Sequence, residues 1–148
     1  MAEFASAVVG LAAAAAQVGG SLYDLIHTLK DAPNEFLTLS DEFNDFRKML
    51  ARLLDMAKSK DMVAIETDDF DAARKRGEEI VKEIGVLIAK VQKGRDTGNR
   101  DNGVDRLRWL RHVKQAKKLH KKLRAHKVTV CNIIIMEMLC VIPRSFYS

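Results

Sequence analysis

Apolar side chains recur along most of this chain at alternating steps of three and four. That spacing gives a helix one apolar stripe to pack against neighbouring helices. The first row is Val8, Leu11, Ala15, Val18, Leu22, Leu25 and Leu29; the second is Phe36, Leu39, Phe43, Phe46, Leu50, Leu53 and Ala57. Phe70, Ala73, Gly77, Ile80, Ile84, Leu87 and Val91 form a third. The fourth is the longest, running through Trp109, Val113, Ala116, His120, Leu123, Lys127, Val130, Ile134, Met138 and Val141. Four helices are therefore predicted, over about residues 3–30, 34–58, 67–94 and 104–142. Polar His120 and Lys127 interrupt the last row, so a bend or break is expected there.

The punctuation agrees with this division. Pro33 in "DAPNE" bars continuation of the first helix and suits the opening turn of the second. Thr67 is placed to cap the third, with Asp68, Asp69 and Asp71 in the first turn, where the helix dipole favours acids. Gly94 follows its last apolar position. "GRDTGNRDNG" reads as a loop; no frame of it sets acids and glycine at EF-hand positions, and no Glu closes it. "VTVCNIIIMEMLCVI" would pass alone for a buried strand, but it continues the fourth row and is read as helix. The expected fold is all-α, an up-and-down bundle of four main helices in one domain over residues 1–142, followed by a tail at 143–148. Phe43, Phe46, Leu50, Ile84, Leu87 and Val113 are its expected core.

The first helix raises a separate question. "FASAVVGLAAAAAQVGGSLY" runs for twenty residues without a charge, close to the length that spans a bilayer. Ala, Gly, Ser and Gln fill the positions between its seam residues, whereas a spanning helix carries large aliphatic side chains all round. Gly19 and Gly20 each weaken the helix by about 1 kcal/mol relative to Ala. A secretory leader would begin with positive charge, and here the only charge before the run is Glu3. The pattern fits a helix packed in a soluble bundle whose small-residue face leaves it free to insert later.

Charge is divided unevenly. The net charge is +5, yet the first 70 residues hold twelve acids against six bases and the remainder eight against nineteen. Ten Lys or Arg residues and no acid lie between Arg106 and Lys127. Arg111, Lys114, Lys117, Lys118, Lys121 and Lys122 fall opposite the Trp109–Leu123 stripe, as a solvated outer face or as a surface for anions. Phospholipid headgroups are the favoured anions. Nucleic acid fits poorly, because no Asn, Gln or Arg set is arranged for base edges.

Catalytic patterns are missing: there is no phosphate-binding loop, nucleophile elbow or HExxH helix. No enzyme activity, cofactor or metal is expected. The four histidines read as solvated or half-buried. Cys131 and Cys140 lie about 13 Å apart along one helix, too far for a disulfide, which suits a reducing cytoplasm.

The opening "MAEFASAVVGLAAAAAQVGGSLYDLIHTLKDAPNEFLTLSDEFNDFRKMLARL", with its small-residue helix and "KDAP" turn, resembles the fungal N-terminal domain of STAND (NLR-type) proteins. That family is also labelled after the azaphilone pigment cluster protein L and is related to HeLo-like domains. "RLRWLRHVKQAKKLHKKLRAHKVTV" looks like its Trp-containing basic helix. The resemblance implies a non-enzymatic effector domain of an immune-type receptor that oligomerises and engages the plasma membrane to induce cell death. Membrane insertion would then fall to Phe4, Val8, Val9 and Leu11, and headgroup attraction to the basic face. Partners implied are further copies of the chain, anionic lipids, and a STAND receptor or other partner helices. No nucleotide-binding or repeat segment is present, so a stand-alone protein and an excised domain are both compatible. A soluble adaptor that binds partner helices without lipid is the alternative.

Overall fold

In a computed structural model of the chain, α1 spans Ala2–Thr28, α2 Asn34–Lys58, α3 Asp68–Lys93 and α4 Asn102–Phe146. Backbone is described for residues 2–28, 31–58, 68–93 and 102–146, and side chains for 6–28, 31–55, 70–93, 107 and 109–136. No strand occurs among them. Leu29, the Thr67 cap, Gly94, most of the 94–103 loop and the side chains of Phe4 and Ala57 lie outside the described residues. α4 runs unbroken past His120 and Lys127, and past Ile142 to take in Pro143, which forfeits one helix hydrogen bond.

The chain reverses between α1 and α2 at Asp31, whose φ of 62° is left-handed, a conformation Asp tolerates better than most residues. The Pro33 carbonyl then accepts from the amides of Phe36 (3.0 Å) and Leu37 (3.2 Å), starting α2.

α1 packs on α2 and α3, and α4 packs on the same two helices, while α1 faces α4 and α2 faces α3 only across the diagonals. Val8, Leu53 and Phe70 meet at one end, with Ile133 and Ile134 packed against them. The start of α1, the end of α2, the start of α3 and the later part of α4 are thus level. Directions alternate up, down, up and down, but α2 and α3, consecutive in sequence, occupy opposite corners. At the other end the Phe36 and Trp109 rings meet edge to face at 4.5 Å, tying the start of α2 to the start of α4.

The first three predicted rows point inward. Phe36, Leu39, Phe43, Phe46, Leu50 and Leu53 are all buried, as are Val8, Leu11, Ala15, Leu22 and Leu25 opposite them. Each large side chain so buried contributes about 1.5–3 kcal/mol. Of the expected core, Phe43, Phe46, Leu50, Ile84 and Leu87 are buried and Val113 is partly so.

The fourth row needs correction. The side chains turned inward are Leu119 and His126, one position before His120 and Lys127. With the row running Ala116, Leu119, Leu123, His126 and Val130, nothing interrupts it and no break is required.

His126 is 4 % exposed, which corrects the expectation of solvated or half-buried histidines. Gly77 makes room for it. A Cβ at Gly77 would stand 2.9 Å from His126 Nε2 and 3.4 Å from Leu11 Cδ2. The ring centroid lies 5.7 Å from that of Phe46. α2 and α3 therefore close on the imidazole of α4, and Leu11 of α1 closes on Gly77 beside it. Burial, and then the charge of Arg76, push its pKa below the usual histidine value, so it is held neutral. Its Nδ1 has no hydrogen-bond partner among the described residues.

Candidate functional site

Because α4 turns Trp109, Ala116, Leu123 and Val130 inward, steps of 100° carry its cations to the opposite side. Arg111, Lys114, Lys117, Lys118 and Lys121 are exposed, and none forms an ion pair among the described residues. Lys122 stands apart from them. It is half-buried and reaches Glu83 of α3 at 3.2 Å. Five of the six predicted cations thus make one unpaired row.

That face is not purely basic. Leu107, Leu110 and Val128 lie on it and are 61, 59 and 51 % exposed. Three large apolar side chains thus stand exposed among the unpaired cations. The sequence carries this pattern, since the spacing of Leu107, Leu110 and Val128 sets them with the cations and off the buried stripe.

The acids that the basic half meets lie on its flank. Glu42 of α2, nearly buried, takes His120 Nε2 at 3.7 Å on one oxygen and Lys127 Nζ at 2.7 Å on the other. The Lys127 ammonium stands off the hydrogen-bonding direction of Glu42 Oε1, so the contact is chiefly charge on charge. Lys127 also faces Asp45 at 3.9 Å. This network joins α2 to α4 and leaves the outer row unneutralised. His112, at the edge of α4, is held below its ordinary pKa by partial burial, with Lys90 and Arg111 adding to the effect.

The insertion candidates divide. Val8 and Leu11 are 1 % and 5 % exposed, inside the core, whereas Val9 is 49 % exposed. Over Ser6–Thr28, α1 is long and apolar enough to cross a membrane by length and composition, and only 22 % of that window is buried. Its outward side, with Gly10, Ala13, Ala14 and Gln17, carries no charge between Ser6 and Tyr23. Since α1 and α4 are diagonal, the uncharged face and the basic face occupy opposite corners of the bundle.

No group of three or more His, Cys, Asp or Glu that could hold a metal occurs among the described residues. Cys131 is free.

Residues 2–139 match the family described as pigment biosynthesis cluster protein PigL N-terminal. The chain belongs to that family. The PigL N-terminal match takes in α1, α2, α3 and most of α4, so it covers the bundle as a unit, and it agrees with the resemblance to a fungal N-terminal domain. No curated protein and no solved structure matches the chain.

Proposed function

We propose that this domain is a non-enzymatic effector module of a fungal immune-type system that docks on anionic membranes through the outer face of α4. Self-assembly and a cell-death output are the further steps that the resemblance to HeLo-like domains implies. The observation that carries the docking step is the row of five unpaired cations sharing one helix face with Leu107, Leu110 and Val128. Lysines near an anionic leaflet contribute about 1 kcal/mol each, and the exposed leucines add apolar contact at headgroup depth. Recruitment from the cytoplasm to the plasma membrane follows on this view.

Vesicles containing phosphatidylserine test it against vesicles of phosphatidylcholine alone. Replacing Lys114, Lys118 and Lys121 by Gln removes about 3 kcal/mol of attraction, a loss of about 100-fold in affinity. High salt should weaken binding in the same direction. Binding that ignores both salt and the triple variant would sink the proposal.

A second reading is favoured by the burial of Val8 and Leu11. Those residues would have to leave the core before α1 could insert, so the bundle as it stands suits an adaptor that binds partner helices. Absence of binding to every anionic vesicle would leave the adaptor.

A further inference from the structure

Between α2 and α4, at the end of the bundle where Leu53 and Ile134 lie, runs a groove of about 410 Å³. That volume falls within the range of about 300–1,000 Å³ typical of small-molecule sites. Met49, Leu53, Cys131 and Ile134 form its floor, with Met49 Sδ and Cys131 Sγ 3.8 Å apart. Its charged lining residues are Asp45, Lys48 and Arg52 of α2 and Lys127 of α4. Asp45 is already matched, because it faces Lys127, which Glu42 also holds. Lys48 and Arg52, on the same side of α2 as Asp45, are exposed and form no ion pair among the described residues. Four positions apart, they project from the same side of α2, about 6 Å from one another. The opposite wall ends at Ile135, which is 53 % exposed.

An apolar floor under two unmatched cations is complementary to one molecule with a single anionic end and an alkyl chain. We propose that this groove binds a long-chain fatty acid anion. The carboxylate rests against Lys48 and Arg52, and the chain lies over Met49, Leu53, Cys131 and Ile134 toward the exposed Ile135. Inorganic phosphate would satisfy the cations and leave the floor wet. A neutral alcohol of equal length would cover the floor and leave the cations unmatched. None of the groove's lining residues is one of the five unpaired cations of the α4 docking face.

Laurate below its micelle concentration is the probe, titrated calorimetrically into the full chain with no membrane present. One laurate per chain is expected, with dodecanol at least tenfold weaker and acetate without measurable binding. Lys48→Gln with Arg52→Gln should reduce laurate to the affinity of dodecanol while the melting temperature stays unchanged, since both side chains are exposed. Cys131 supplies a second measurement. In a Cys140→Ser background its reaction with a thiol reagent should slow at least fivefold on laurate addition. Equal affinity for laurate and dodecanol, no laurate binding, or unaltered binding by the double variant would each overturn the proposal. Protection of Cys131 that rises with protein concentration and ignores laurate would overturn it too, by assigning the groove to a second copy of the chain.

Discussion

Gly77→Ala should destabilise this bundle although it replaces a poor helix former with the best one. In an open helix interior the change gains about 1 kcal/mol. Gly20 gives that reference, for a Cβ there meets nothing within 4 Å. At Gly77 the new Cβ would stand 2.9 Å from His126 Nε2, closer than such contacts occur, with Leu11 Cδ2 at 3.4 Å. The imidazole cannot swing out to solvent, being 4 % exposed and flanked by the Phe46 ring. Overpacking of this kind costs about 1–3 kcal/mol. The gain offsets part of it, which leaves Gly77→Ala between neutral and about 2 kcal/mol less stable than the parent. Gly20→Ala should be about 1 kcal/mol more stable, and for a chain of this size each kcal/mol moves Tm by about 2–4 °C. Urea melts of both variants supply the comparison. His126→Ala should cancel much of the Gly77→Ala penalty in a double-mutant cycle, because it removes the ring that the methyl strikes. Gly77→Ala matching or exceeding Gly20→Ala in stability would refute the argument.

Acid should weaken the fold through His126. Its pKa is lowered in the folded state, so below pH 6.5 the unfolded chain binds the proton first and stability falls with pH by up to about 1.4 kcal/mol per unit, until the folded pKa is reached; His126→Leu should flatten that slope in melts between pH 7.5 and 5, and an unchanged slope would assign it to other groups. Glu42→Gln should cost about 1–3 kcal/mol in a urea melt, since it leaves the half-buried Lys127 ammonium with Asp45 at 3.9 Å alone and removes the charged partner of His120. Val8→Asp should destabilise by about 3 kcal/mol or more by placing an unpaired carboxylate in the core. Ala13→Glu and Gln17→Glu lie on the exposed side of α1 and should leave Tm alone, while opposing any insertion by about 2.5–3.5 kcal/mol each; unchanged toxicity and recruitment in a fungal host would exclude insertion of α1.

The four helices were legible because each keeps one apolar row over several turns, and a repeated row survives an uncertain end. Neighbour relations were not. Alternating directions follow from the connections, yet nothing in the rows tells that α2 and α3 take opposite corners; that depends on which faces of different helices fit. His126 was misplaced because polarity, rather than spacing, decided whether it belonged inside. Its position three after Leu123 and four before Val130 continues the row, and Gly77 on the facing helix supplies the space a buried ring needs. Of the six cations on the outer side of α4, five are exposed and unpaired among the described residues, while Lys122 meets an acid, Glu83, that lies 39 positions away in sequence. Pairings of that separation cannot be read from the local pattern.

The diagonal placement constrains how any membrane action could proceed. A bundle lying on a lipid surface by the outer face of α4 holds the uncharged face of α1 at the far corner, away from that surface. For α1 to reach the same bilayer, Val8, Leu11 and Leu22 would have to leave their partners, and three large or medium apolar side chains give up several kcal/mol on exposure. Docking by itself does not supply that energy to α1, because the cations that gain from it are on another helix. Anything that loosens the shared centre lowers the cost, and among the described residues the one buried titratable side chain there is His126, between Phe46 of α2 and Gly77 of α3. Charging it would set an uncompensated cation beside the Phe46 ring and within the field of Arg76. On the proposed function, release of α1 and docking of α4 would therefore be separable. Variants at Lys114 and Lys118 should alter recruitment while leaving the acid sensitivity of the fold intact, and His126→Leu should do the reverse. A bundle in which one substitution moved both quantities together would contradict the division of labour that the opposite corners impose.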